Sequence, residues 1–141
     1  MTNCLRSCDM NAVGKLVSQR RPDLNSVHAI WVEVKFQTSS FLLCTVYRSP
    51  GTPVAFWERI TISLERALEC NSNIIIEGDL NQDLLLTTGN HLTNSLTINT
   101  LSNVINKPTR IKNTSSTLIG PILVSQHVRV LHSDTLDVDH W

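Results

Sequence analysis

The sequence predicts an α/β fold, and three observations in the middle of the chain carry that prediction. Ala29 to Phe36 alternates as a strand does, with Val32, Val34 and Phe36 on one face and Trp31, Glu33 and Lys35 on the other. From Pro53 to about Glu69, Phe56, Trp57, Ile60, Leu64, Ala67 and Leu68 recur at helical spacing and form one apolar stripe. Phe41 to Tyr47 and Asn73 to Glu77, on either side of that helix, are short apolar runs of the kind that sit inside a sheet.

Composition bounds the rest. The chain has 141 residues, 41% of them hydrophobic, with a formal net charge of zero. That suits one domain with a real core and excludes a disordered chain. No global basic field is present, so nucleic-acid binding must rest on local charge. No apolar run is long enough to span a membrane, and Met1 to Arg6 has no signal-peptide core. The chain is therefore read as intracellular, compatible with the nucleus, with no targeting signal. Cys4, Cys8, Cys44 and Cys70 have no zinc-ligand spacing and suggest no disulfide framework, and Cys44 reads as a core residue.

The elements follow in order. Residues 1–28 read as a leader before a domain at 29–141, with a short helix from Asn11 to Arg20 weakened by Gly14. Gln37 to Ser40 is a short polar link, which makes its flanking strands an antiparallel hairpin. Ser49-Pro50-Gly51-Thr52-Pro53 is a breaker cluster in which Thr52 can cap the helix and Pro53 can open it. Strand, helix, strand is a crossover unit, so the Phe41 and Ile74 strands are expected to be parallel. A second helix is expected from about Leu92 to Asn103. Further strands are expected at Thr117 to Ser125 and Val128 to Leu136, with Pro121 placing the first at an edge or a bulge.

The chemistry concentrates at Gly78-Asp79-Leu80-Asn81, where a buried strand ends. Residues two apart in an extended chain share a face, so Asp79 and Asn81 can reach one point, with Gly78 allowing the turn. An acid beside an amide suits a water, a phosphate oxygen or a divalent cation, and equally suits an Asx-turn. Tyr47 ends the preceding strand. In a parallel pair it would open on the same edge as Asp79, where open α/β sheets bind ligands; a half-buried tyrosine with a wet hydroxyl is the alternative. Arg48 can hold a phosphate or lie solvated. Lys107, Thr109, Arg110 and Lys112 form a basic loop that can meet a nucleic-acid backbone or simply face water. Asp139-His140 offers a metal ligand and an acid or base, against the usual fraying of a chain end. His28, His91, His127 and His132 lack ligand spacing. Glu33, Glu58, Glu65 and Glu77 are accounted for by strand and helix faces, without a metal carboxylate among them.

Taken together, Ile30 to Val34, Val46-Tyr47-Arg48-Ser49-Pro50, Ile76 to Asn81, and Pro108 to Ile111 followed by Ser116 to Ile119 resemble the endonuclease/exonuclease/phosphatase superfamily. The resemblance is to the endonuclease domains of non-LTR retrotransposons and runs from about residue 29 onward. It implies a DNase I-like two-sheet α/β sandwich with helices outside. It also implies Mg²⁺- or Mn²⁺-dependent cleavage of DNA by an activated water. Asp79 would orient or deprotonate that water, Asn81 would hold the phosphate or nucleophile, and Tyr47 would touch the scissile phosphate.

The departures are equally specific. The family's early strands, one bearing an Asn and one ending in a metal-binding Glu, find no match in residues 1–28. An Asp that orients the family's catalytic His is replaced by Gly120. The family's closing Ser-Asp-His matches Asp139-His140 only with Val138 in place of Ser. A second alignment, slightly preferred, sets Asp137-Val138-Asp139 on an upstream stretch and makes His140 a coincidence. The chain is therefore expected to be a truncated or degenerate copy, weakly active or inactive as encoded. The alternatives are a non-catalytic nucleic-acid-binding remnant and an incomplete gene model whose flanking sequence restores a working nuclease.

Overall fold

The two strand patterns before the helix pair with each other along their whole length. In the computed structural model, which describes residues 15–17, 27–36, 38–86, 94 and 100–135, strand β1 (Lys15–Val17) is followed by β2 (Val27–Lys35) and β3 (Ser40–Arg48). Helix α1 (Ala55–Cys70) then leads to β4 (Ile74–Asp79), β5 (Leu101–Asn103), β6 (Arg110–Lys112), β7 (Ser115–Thr117) and β8 (Ile122–Ser125). One sheet has the order β1-β2-β3-β4-β8-β5, and β6 and β7 form a separate two-stranded sheet. β2 and β3 are antiparallel from Val27 opposite Arg48 to Lys35 opposite Ser40. β3 and β4 are parallel, as the crossover order predicts.

The alternation of side chains divides the sheet into a covered face and an open one. Leu42, Cys44 and Val46 of β3, Ile74 and Ile76 of β4 and Leu123 of β8 are buried beneath the apolar stripe of α1. That stripe is the expected one: Phe56, Trp57, Leu64 and Ala67 are buried, and Ile60 and Leu68 pack against them. Each such large side chain contributes roughly 1.5–3 kcal/mol by leaving water. Trp31 of β2 faces the same side and donates from Nε1 to Ser63 Oγ at 2.9 Å. The open face carries half-buried Val32, Val34, Phe41, Leu43 and Ile75, exposed Ile30, and the polar residues Thr45, Tyr47, Glu77 and Asp79.

Five local expectations are corrected. Lys15–Val17 is a strand against β2, so tertiary pairing overrides the helix read across Asn11 to Arg20. Thr52 does not cap α1: its hydroxyl donates to Ser49 O at 2.7 Å, and the helix begins after Pro53, at Ala55, with no side-chain cap. Leu101–Asn103, assigned to a second helix, pairs with β8. There Asn103 binds Ile105 N and Ile105 O through its own side chain, a local alternative to a helical turn; residues 95–99 of that expected helix lie outside the described residues. Pro121 splits the Thr117 to Ser125 strand into β7 and β8. Because it stands just before β8, its missing N–H costs no ladder bond, and β8 lies between β4 and β5 instead of at an edge. Described residues 128–135 form no strand: Val128 N bonds Ser125 O in a reversal, and Leu131 is exposed.

Cys44 is a core residue, as the sequence predicts. Burial, and secondarily the Glu77 carboxylate, push its thiol up to about 12. Native Cys44 is expected to resist iodoacetamide at pH 8 and to react once urea unfolds the chain. The folded state holds this proton more tightly, so its contribution is complete below the ordinary thiol range. It is lost as pH rises towards 12. Alkaline unfolding curves of Cys44→Ala should lack that loss.

Candidate active site

The parallel register sets the site. Tyr47 and Asp79, the last open-face residues of β3 and β4, are direct partners, and Thr45 and Glu77 are partners one step back. Thr45 Oγ1 donates to Glu77 Oε1 at 2.7 Å. A cleft of about 420 Å³ opens beside them, lined by Glu77, Asp79, Thr109, Gly120 and Ile122. The expectation that both strand ends open on one edge holds. Glu77 is the residue that the sequence reading passed over. The two-residue spacing that singled out Asn81 after Asp79 applies equally to Glu77 before it, and the apolar strand around Glu77 hid it.

The turn after Asp79 departs from the extended continuation that the spacing predicts. Asn81 has φ +45°, a left-handed conformation that few residues other than glycine adopt. Its backbone N–H donates to Asp79 Oδ1 at 3.0 Å, and its side-chain Nδ2 donates to Arg48 O at 2.8 Å. The Asx-turn is thus formed, and it binds the ends of β3 and β4 together. Leu80 points back into the core and donates its N–H to Ile119 O at 2.9 Å. Asp83 Oδ1 caps the next turn at Leu85 N and also accepts from Leu118 N.

The basic residues divide into engaged and exposed groups. The Arg48 guanidinium lies on the covered side, 5.8 Å from the Phe56 ring centroid and 5.2 Å from that of Trp57. Thr109 Oγ1 accepts from the N–H groups of Ile119 and Gly120 at 3.1 and 3.0 Å, which ties the β6–β7 arm to the cleft wall. Arg110 and Lys112 are both exposed and share one face of that arm. Lys107 Nζ stands 2.7 Å from Asp134 Oδ1. The lysine's hydrogen bond, foremost, holds the Asp134 carboxyl below its usual range. A depressed carboxylate stabilises the fold above its ordinary range and loses that contribution as pH falls through the folded value. In Lys107→Ala the Asp134 ¹³C titration should move back up, with little change in stability because the pair is exposed. A Cβ at Gly120 would make ordinary contacts, with Thr109 Oγ1 at 3.6 Å and Gly78 O at 3.7 Å. Asp139 and His140 lie outside the described residues.

Among the described residues the donors do not by themselves complete a divalent-cation site. Among the described residues no group of three or more His, Cys, Asp or Glu side chains converges. Glu77 and Asp79 each already commit one carboxylate oxygen to a hydrogen bond. Also among the described residues, no helix is long and apolar enough to cross a membrane.

Comparison with solved structures gives the architecture its place. The chain is similar to the endonuclease domain of TRAS1, a telomere-specific non-LTR retrotransposon, with a TM-score of 0.57 and 17% identity over 76% of this chain. The fold is DNase I-like. Two Bacteroides thetaiotaomicron proteins share it: an endonuclease/exonuclease/phosphatase family protein (TM-score 0.53, 18% identity) and a mannosyl-6-phosphatase (TM-score 0.53, 17% identity), each matched over 70% of this chain. The chain spans about half of the TRAS1 domain, 52%, and 41% and 43% of the other two. No family model and no curated protein matches the sequence. In DNase I-like terms, the described chain supplies a six-stranded sheet with its covering helix, plus the β6–β7 arm.

Proposed function

We propose that the chain derives from a phosphodiesterase that cleaves DNA, with its reaction centre at the Tyr47–Asp79 pair. The observation that carries this reading is the parallel register, which sets Tyr47 beside Asp79, and Asp79 lines a cleft on the sheet's open face. Asp79 Oδ1 is held by the Asn81 N–H, which leaves Oδ2 to orient or deprotonate a water. The Tyr47 hydroxyl contacts the scissile phosphate, and the second Nδ2 hydrogen of Asn81 can donate to a phosphate oxygen. Arg110 and Lys112 meet backbone phosphates beyond the cleft, with Thr109 at the base of their arm. On the alignment that sets Asp139-His140 on the family's closing Asp-His, these two would join the same centre as ligand and acid; on the slightly preferred alignment His140 is a coincidence. Dependence on Mg²⁺ or Mn²⁺ is proposed only for a protein that adds ligands to Glu77 and Asp79.

By itself this polypeptide is expected to cleave little or no DNA, because the metal-binding Glu of the family it resembles finds no match in residues 1–28. Supercoiled plasmid incubated with purified chain and Mg²⁺ or Mn²⁺ should show nicking close to background, and any nicking should vanish in Asp79→Ala. Strong nicking that survives Asp79→Ala would remove the site assignment. The exposed cationic face of β6 favours a second reading, a nucleic-acid-binding remnant without cleavage. On that reading duplex binding weakens with salt, and Lys112→Ala lowers the slope of log K against log[salt] by about 0.9.

A further inference from the structure

We propose that Arg48 is the positioning residue of this site, holding the Asp79–Asn81 turn from behind the sheet without touching nucleic acid. The inference rests on the phosphodiesterase reading for its meaning and on geometry for its support. Tyr47 and Arg48 are consecutive in β3, so they point to opposite faces: Tyr47 to the cleft side, Arg48 to the helix side. There Arg48 Nη1 donates to Leu80 O at 3.3 Å and to Asn81 O at 3.4 Å, while Nη2 donates to Thr52 O at 3.1 Å. The rings of Phe56 and Trp57, both buried at the start of α1, flank the guanidinium. Asn81 returns the contact, donating from its side chain to Arg48 O.

The consequence runs through Asn81. A non-glycine residue at φ +45° persists only where its surroundings fix it. Here two carbonyls of the turn are held by one planar cation and the asparagine side chain is held by the backbone of the same residue. Asn81 N–H is thereby aimed at Asp79 Oδ1, which fixes the carboxylate of a residue that lines the cleft. A guanidinium suits this task because its planar fork reaches several carbonyls while lying against aromatic rings; a lysine ammonium is a point charge without that fixed fork or planar face.

The test is hydrogen exchange and ¹H–¹⁵N spectroscopy on the full chain, with Arg48→Met and Arg48→Lys. In both variants the Asn81 backbone N–H should exchange at least tenfold faster and its side-chain amide resonances should move, while the amides of β2 keep their protection. Guanidinium ion at tens of millimolar, added to Arg48→Ala, should return the Asn81 signals towards wild type. The salt slope of duplex binding should be unchanged in Arg48→Met. Unaltered Asn81 exchange and resonances in both variants would overturn the proposal. So would a salt slope lowered by about 0.9, which marks a phosphate contact. If no duplex binds at all, the nucleic-acid reading fails while the exchange result still decides the role of Arg48. If Arg48→Met does not fold, Arg48→Lys and the guanidinium rescue decide it.

Discussion

Gly78→Ala is expected to cost on the order of 4 kcal/mol or more, enough to leave much of a marginally stable domain unfolded. An added Cβ would sit 1.8 Å from Val46 O and 2.9 Å from Val46 N, both backbone atoms of the neighbouring strand. No side-chain rearrangement relieves that overlap, so β3 and β4 must part at the very step that aligns Tyr47 with Asp79. The backbone adds its own penalty, since φ is +142° at Gly78, a region that L side chains rarely adopt. Urea unfolding should show the midpoint falling by roughly 2 M for a slope of 1–3 kcal/mol per molar. Gly51→Ala is the control. Its φ is +75°, but nothing lies within 4 Å of the added carbon, so only the backbone cost of about 1 kcal/mol applies.

The second large effect is expected two residues on. Leu80 stands between two polar site residues, yet it is buried in the core and packs with Phe56 and Leu101 in one cluster. Leu80→Ala removes three buried carbons and leaves a cavity, which should cost about 2–5 kcal/mol. Asp79→Asn, its immediate neighbour, keeps the oxygen that accepts the Asn81 N–H and should change stability by no more than about 0.5 kcal/mol. Thermal or urea unfolding of the two variants should therefore separate them clearly. The contrast follows from strand alternation: in Gly78-Asp79-Leu80 the even positions hold the fold together and the odd one faces the cleft.

That alternation explains how much of the molecule was legible in its sequence. The β2–β3 hairpin, the stripe of α1 and the parallel β3–β4 pair all follow from local periodicity and a short link, because in each the apolar pattern repeats over several residues. The failures fall where the pattern is short or another contact wins. Lys15–Val17 and Leu101–Asn103 are strands of three residues, too short to show a period of their own and held by pairing with β2 and β8, while Ile122–Ser125 is the expected strand shortened at Pro121. Val128 to Leu131 carries an alternating pattern that the reversal at Ser125 leaves on the surface. At the site, Asp79 and Tyr47 were found by spacing and by their place at strand ends. Glu77 escapes the pattern because a carboxylate in the middle of an apolar strand reads as a solvated face until the cleft that it lines together with Thr109 is seen. The engagement of Arg48 with Leu80, Asn81 and Thr52 depends on the strand crossover, and no local pattern announces it.

The open face at the ends of β3 and β4, with the β6–β7 arm, is proposed as the surface that meets nucleic acid. Titration of the ¹⁵N-labelled chain with a short DNA duplex, followed by amide chemical shifts, tests it most directly. The shifts should gather at Tyr47, Asp79, Thr109, Arg110 and Lys112, with the outer face of α1 at Arg59 and Arg66 unmoved. Shifts confined to Arg59 and Arg66 would contradict it, as would no shift anywhere at millimolar duplex.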